Sequence, residues 1–219
     1  MTLSSRPPRL AVGVLGLSLV SACSSGPEPS GESETSEATA PASTNVTISG
    51  SAPRASGGFP SVVILEPETD TEFPIPTEPA LMDQYNTEFH PRLLLVRAGQ
   101  KVRFKNSEDT LHNVHVIDIE TRETAFNVAT PVTGAFAYVF ESPAVYDVSC
   151  GIHPSMAAFV VVTDSPFAVV ANNDGTFSLA GVPPDNYTVT VWNLDPSRRS
   201  QRALTIDGDT TELSLDGLS

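Results

Sequence analysis

The chain has 219 residues, with 26 acidic groups against 12 Lys and Arg and a formal net charge of −14. No basic patch exists with which to neutralise phosphates, which argues against nucleic-acid binding. The length allows one large or two modest domains.

Taken in chain order, Arg6 and Arg9 precede an apolar run from Leu10 to Val20 that ends in Val20-Ser21-Ala22-Cys23. Residues 1–22 therefore read as a secretory signal. The run is too short to cross a bilayer as a helix. Its ending resembles the bacterial lipobox, which implies acylation of Cys23. The mature chain would then be lipid-anchored to a bacterial membrane, in the cell envelope, facing the periplasm or exterior. Loss of both arginines leaves ten basic groups against 26 acidic ones, a net of −16. Residues 23–44 are rich in Ser, Glu, Thr and Pro. They cannot bury enough surface to offset ordering and are expected to form a disordered tether of roughly 25 Å average span.

Residues 45–79 hold two short strands, Thr47-Ile48-Ser49-Gly50 and Ser61 to Glu66, then a Pro- and acid-rich connector. No stretch shows a helical period, so the chain reads as all-β, and residues 80–163 form one domain of it. Arg92 to Val96 leads into an Ala98-Gly99 turn, and Val102 and Phe104 alternate with polar residues in Lys101 to Lys105. That is the period of a half-buried strand. Phe136, Tyr138 and Phe140 share one face, as do Tyr146, Val148 and Cys150, and Val160 to Val162 close the domain.

Two stretches of this region carry the chemistry. Cys150-Gly151-Ile152-His153-Pro154-Ser155-Met156 places a thiol, an imidazole and a thioether three residues apart, and Leu111-His112-Asn113 adds a second imidazole upstream. One Cys, two His and a Met form the donor set of a blue-copper site: a trigonal Cys/His/His plane with a weak axial sulfur. Zinc is the competing ion, but structural zinc sites favour more thiolates and imidazoles, and Met is a poor zinc ligand. His115 lies at odd spacing from His112, on the opposite strand face, and His90 precedes a proline. Neither is expected to be a ligand. With Cys23 acylated and Cys150 on a metal, no disulfide is expected.

Residues from about 80 to 163 resemble the cupredoxins of the plastocyanin and amicyanin branch. The resemblance lies in Val96 to Asn106, in His112-Asn113-Val114-His115 and in Tyr146 to Met156. The two residues between His153 and Met156 form the short ligand loop typical of amicyanin. The resemblance implies a Greek-key β-sandwich holding one copper ion, Cu(I)/Cu(II), on His112, Cys150, His153 and Met156. It also implies that Asn113 fixes the ligand loops by hydrogen bonding.

Beyond Asp164 come Phe167 to Val170, an Asn173-Asp174-Gly175 turn, Thr176 to Leu179, Val182-Pro183-Pro184, Tyr187 to Trp192, Ala203 to Ile206 and Glu212 to Leu215. Residues 164–219 resemble a carboxypeptidase regulatory-like, or transthyretin-like, β-sandwich that lacks its opening strands. Residues 45–66 would supply them, which makes the copper domain an insertion. The alternative gives Ser61 to Glu66 to the cupredoxin.

The expected function is electron transfer between transient redox partners, with the His153 ring edge as the exit. Pro154, Ala157 and Ala158 are expected to form its apolar surround. Copper trafficking or storage is the alternative, and a metal-free interaction module is a third. No nucleophile–base pair or phosphate loop is present, and four histidines are too few for an additional copper site. The chain therefore reads as a non-enzyme.

Overall fold

A computed structural model describes residues 45–69, 71–210 and 212–215. The expected signal, Cys23 and the tether lie outside the described residues. Strands dominate, and several, such as those at 46–49, 101–104 and 112–116, alternate burial as half-buried pleats do. On the side of the expected copper ligands these are β3 (Ala80–Tyr85), β4 (Glu88–His90), β5 (Leu93–Arg97), β6 (Lys101–Asn106), β7 (His112–Asp118), β8 (Thr124–Thr130), β9 (Ala135–Val139), β10 (Ala144–Ser149) and β11 (Ala157–Thr163). They form two sheets, ordered β5-β11-β10-β7-β8 and β4-β3-β6-β9. The core between them contains Met82, Phe89, Phe104, Val114, Val148 and Val160.

Sequence pattern alone misses two elements here. Hairpin β3–β4 turns at Asn86 and Thr87, both with left-handed backbone (φ 57° and 56°), and β4 has only three residues. β8 is an edge strand with little full burial, so it lacks clean alternation.

The remaining strands are β1 (Val46–Ser51), β2 (Val62–Pro67), β12 (Ala168–Val170), β13 (Thr176–Val182), β14 (Asp185–Trp192), β15 (Ser200–Ile206) and β16 (Glu212–Ser214). Their sheets run β13-β1-β16 and β12-β2-β14-β15. β1 pairs antiparallel with β13 and parallel with β16, while β2 lies between β12 and β14. Among the described residues, neither β1 nor β2 pairs with a copper-side strand. The chain thus leaves this sheet pair after β2 and returns to it at β12. A second core fills it, with Ile48, Leu65, Phe177, Tyr187, Val189 and Ile206. Gly175 sits at φ 93° in the Asp-Gly turn, where a β-carbon would lie 2.1 Å from the Ala52 carbonyl oxygen. Only glycine fits there.

The outer faces of the two sheet pairs meet along a third apolar cluster. Phe59, Val62, Ile64 and Trp192 pack against Leu93 and Val161, with Phe159 and Val145 alongside. Phe159 meets the Phe59 ring edge-on at 4.9 Å and the Trp192 ring at 5.3 Å. Odd-numbered residues of β11 face this seam, and even-numbered Ala158 and Val160 face the copper-side core. Truncating the buried Trp192 to Ala is expected to cost about 3–5 kcal/mol. Urea unfolding should show that loss while any metal-derived optical spectrum stays unchanged, because the indole touches only the far side of β11.

Candidate metal centre

Three of the four expected donors converge at one end of the copper-side sandwich. β7 opens on His112, whose side chain is fully buried. β10 ends one residue before Cys150, which is buried and unbridged. The loop of residues 151–156 then folds back: the Met156 N–H donates to the His153 carbonyl (3.0 Å) and the Cys150 N–H to the Met156 carbonyl (3.3 Å). This return brings His153 over the thiol and buries Met156 in the same core as Cys150. His153 stays half-buried.

Cys150 Sγ lies 3.8 Å from His112 Nδ1 and 4.0 Å from His153 Nδ1, and the two Nδ1 atoms are 3.0 Å apart. A triangle with those edges has a centre about 2.1 Å from every corner, close to ordinary metal–nitrogen and metal–sulfur bond lengths. The two rings are inclined at 55°, with centroids 4.6 Å apart. A soft thiolate and two imidazoles at these separations suit copper. Among the described residues, no other group of three such side chains converges.

The outer edge of His112 is equally specified. Its Nε2 lies 2.5 Å from Glu108 Oε2. An ionised carboxylate can only accept, so Nε2 carries the proton and Nδ1 is left as a lone pair facing Cys150. Burial alone would raise the Glu108 carboxyl. The Thr87 backbone N–H and the His112 ring outweigh burial and hold it below the ordinary glutamate value. Residue pattern does not single out Glu108, which is one acid among many in the sequence. Its signal is its position four residues before a buried ligand candidate.

Asn113 stitches two loops. Its Oδ1 accepts from the Gly151 N–H at 2.7 Å and lies 3.4 Å from Cys150 Sγ, and its Nδ2 donates to Asn127 Oδ1 at 2.8 Å. Asn106, fully buried, donates to the carbonyls of Thr110 and Thr130 (2.7 and 2.9 Å) and accepts from the Glu108 N–H (2.9 Å). That shapes the loop before His112.

His115 lies outside the cluster, with Nε2 3.5 Å from Thr124 Oγ1. His90 is exposed, 3.0 Å from the Tyr85 carbonyl. One expectation fails: Ala158 is completely buried, because β11 alternation points it into the core. Pro154 is exposed and Ala157 half-buried, and the large exposed apolar side chains beside the ligands are Leu111 and Ile152.

No family model matches the chain, and no curated protein matches it. Solved structures overlap it in part. The Cu(I) form of a mutant amicyanin is 24% identical over 46% of this chain and 98% of its own, with a TM-score of 0.36. A purple cupredoxin from Nitrosopumilus maritimus is 25% identical over 38% of this chain and 99% of its own, with a TM-score of 0.35. A copper-containing nitrite reductase from Thermus scotoductus SA-01 is 23% identical over 45% of this chain but 25% of its own, with a TM-score of 0.37.

Because its carboxyl is held low, Glu108 contributes stability above the ordinary glutamate value and loses it as pH falls through the lower folded value. In the metal-free protein, wild type should exceed Glu108→Gln in urea stability near neutral pH, and the gap should shrink progressively as pH falls below the ordinary glutamate range. A gap independent of pH would contradict this.

Proposed function

We propose that this chain is an electron carrier of cupredoxin type, holding one copper ion on His112 Nδ1, Cys150 Sγ and His153 Nδ1 with the Met156 thioether as a weaker fourth donor. The observation that carries the reading is the convergence of that thiol and both Nδ1 atoms at 3.0–4.0 Å. When bound, copper supplies a one-electron couple, and the protein supplies binding, orientation and electrostatics. Glu108 keeps the inner nitrogen of His112 free, Asn113 holds the loops together, and the core around Cys150 and Met156 excludes water. These side chains are fixed from both sides, so a change of charge at the centre requires little rearrangement of the chain.

The half-buried His153 is the exit for the electron. Strand register places Tyr85, Leu111, Val132 and Ile152 at the same end of the sandwich: β3 runs parallel to β6 towards Asn106, and His112 pairs with Thr130. All four are exposed. The loops that bear them, residues 85–88, 107–111, 131–134 and 151–155, contain no Lys or Arg. They carry Glu88, Glu108 and Asp109, so the apolar side chains sit in an acidic rim, and a small end of this kind suits brief encounters with a redox partner that must release quickly. The enclosure of His112 and Met156 weighs against copper trafficking, which needs an open, exchangeable site. Acylation of Cys23 and an envelope location complete the proposal. Mass spectrometry of the mature N-terminus tests them, and an unmodified Cys23 would remove the anchor.

Copper-loaded protein should show an intense thiolate-to-copper band in the visible that disappears in Cys150→Ser; a colourless loaded protein would falsify the carrier reading. Ile152→Asp should leave that band in place and slow electron self-exchange by about tenfold, since a charge then has to be desolvated at each encounter.

A further inference from the structure

Hairpin β3–β4 contributes no donor atom to the centre, yet its tip is bonded along the whole segment that carries His112. The Asp83 carboxylate accepts from Ser107 Oγ at 2.7 Å. The Gln84 carbonyl accepts from the Ser107 N–H at 3.1 Å. Gln84 Nε2 donates to the Asn113 carbonyl at 3.1 Å, and its Oε1 accepts from Thr130 Oγ1 at 2.5 Å. At the turn, the Thr87 N–H donates to Glu108 Oε1 at 2.7 Å, the carboxylate whose other oxygen meets His112. These contacts bracket the imidazole, from five residues before it to one residue after it.

Two features set these bonds apart from ordinary loop packing. Gln84 is completely buried and spends its amide on the backbone beside a ligand candidate and on the strand opposite it. Thr87 is β-branched yet sits at φ 56°, a conformation that such residues avoid and that persists only where the surroundings over-determine it. That conformation aims its N–H at Glu108.

We propose that the tip of hairpin β3–β4 is the positioning element of the copper centre, with Gln84 and the Thr87 backbone N–H as positioning residues that set the orientation of His112 without touching the metal. The inference rests on the copper reading. Loosening the clamp lets the imidazole rotate away from the position that the Cys150 and His153 donors require, so metal affinity and Cu(II) geometry change together.

The test uses the full chain. Gln84→Met combined with Thr130→Val removes the buried amide and its hydroxyl partner together, leaving only the Asn113 carbonyl to find a new donor. Copper affinity, read by chelator competition, should fall about 10–100-fold, with an altered Cu(II) hyperfine splitting in EPR. An unchanged affinity and splitting in the double variant would overturn the proposal. Amide exchange in the metal-free protein supplies a readout that survives if the double variant does not fold. The Thr87 N–H should exchange slowly in wild type and rapidly in Glu108→Ala, and solvent-rate exchange in wild type would overturn the clamp. If wild type takes no copper, the copper reading fails by itself, and the Thr87 result still decides whether the hairpin holds Glu108.

Discussion

Three lone-pair donors held within 4.0 Å of one another at the end of a β-sandwich are the arrangement on which the rest depends. Side chains of this kind do not gather without cause. A buried imidazole with a bare inner nitrogen beside a thiol and a second imidazole leaves polar capacity that only a shared proton or a metal can satisfy. The scaffold keeps them there because each is anchored in backbone that cannot easily move. His112 begins an interior strand, Cys150 directly follows the end of another, and the His153–Met156 return is held by one backbone hydrogen bond within it and one to Cys150.

Around that arrangement the polar groups form successive shells. Glu108 orients His112, and Asn113 ties the two ligand loops to each other. Asn106 shapes the approach to His112, and the β3–β4 hairpin braces the same segment from outside. All are uncharged or matched donor to acceptor, which limits the cost of burying them. On the other side of β11 the constraint is apolar. The Phe59 and Trp192 rings meet Phe159 of β11 and cover a face of that sandwich that would otherwise be open to water. Because the chain departs from one sheet pair after β2 and rejoins it at β12, two covalent crossings reinforce that seam.

Much of this was legible from residue type and spacing. The thiol, imidazoles and thioether stand out because few functions need all of them so close together, and the alternation of Tyr146, Val148 and Cys150 already pointed the thiol inward. The pairing of residues 45–66 with the C-terminal strands was open in the sequence, since Val62 to Leu65 is a continuous apolar run that suits either sandwich. Hairpin β3–β4 was hidden because Asn86-Thr87 lacks the glycine that usually marks such a turn. Gln84 was hidden for a different reason: its importance arises from burial against Asn113 and Thr130, far away in the chain, which local pattern does not encode. Glu108 lies only four residues before His112, but as one acid among many it does not stand out. Ala158 was misplaced because a small residue near a ligand loop looks like surface until strand register assigns its face.

The most direct measurement is copper K-edge X-ray absorption on the loaded, full-length protein. Nitrogen and sulfur scatterers are resolved there without reference to any mutant or partner. The arrangement of His112, Cys150 and His153 requires two imidazole nitrogens and one short sulfur around a single ion, with any thioether sulfur longer. A shell made only of nitrogen and oxygen would contradict it, because copper would then be bound somewhere other than at Cys150.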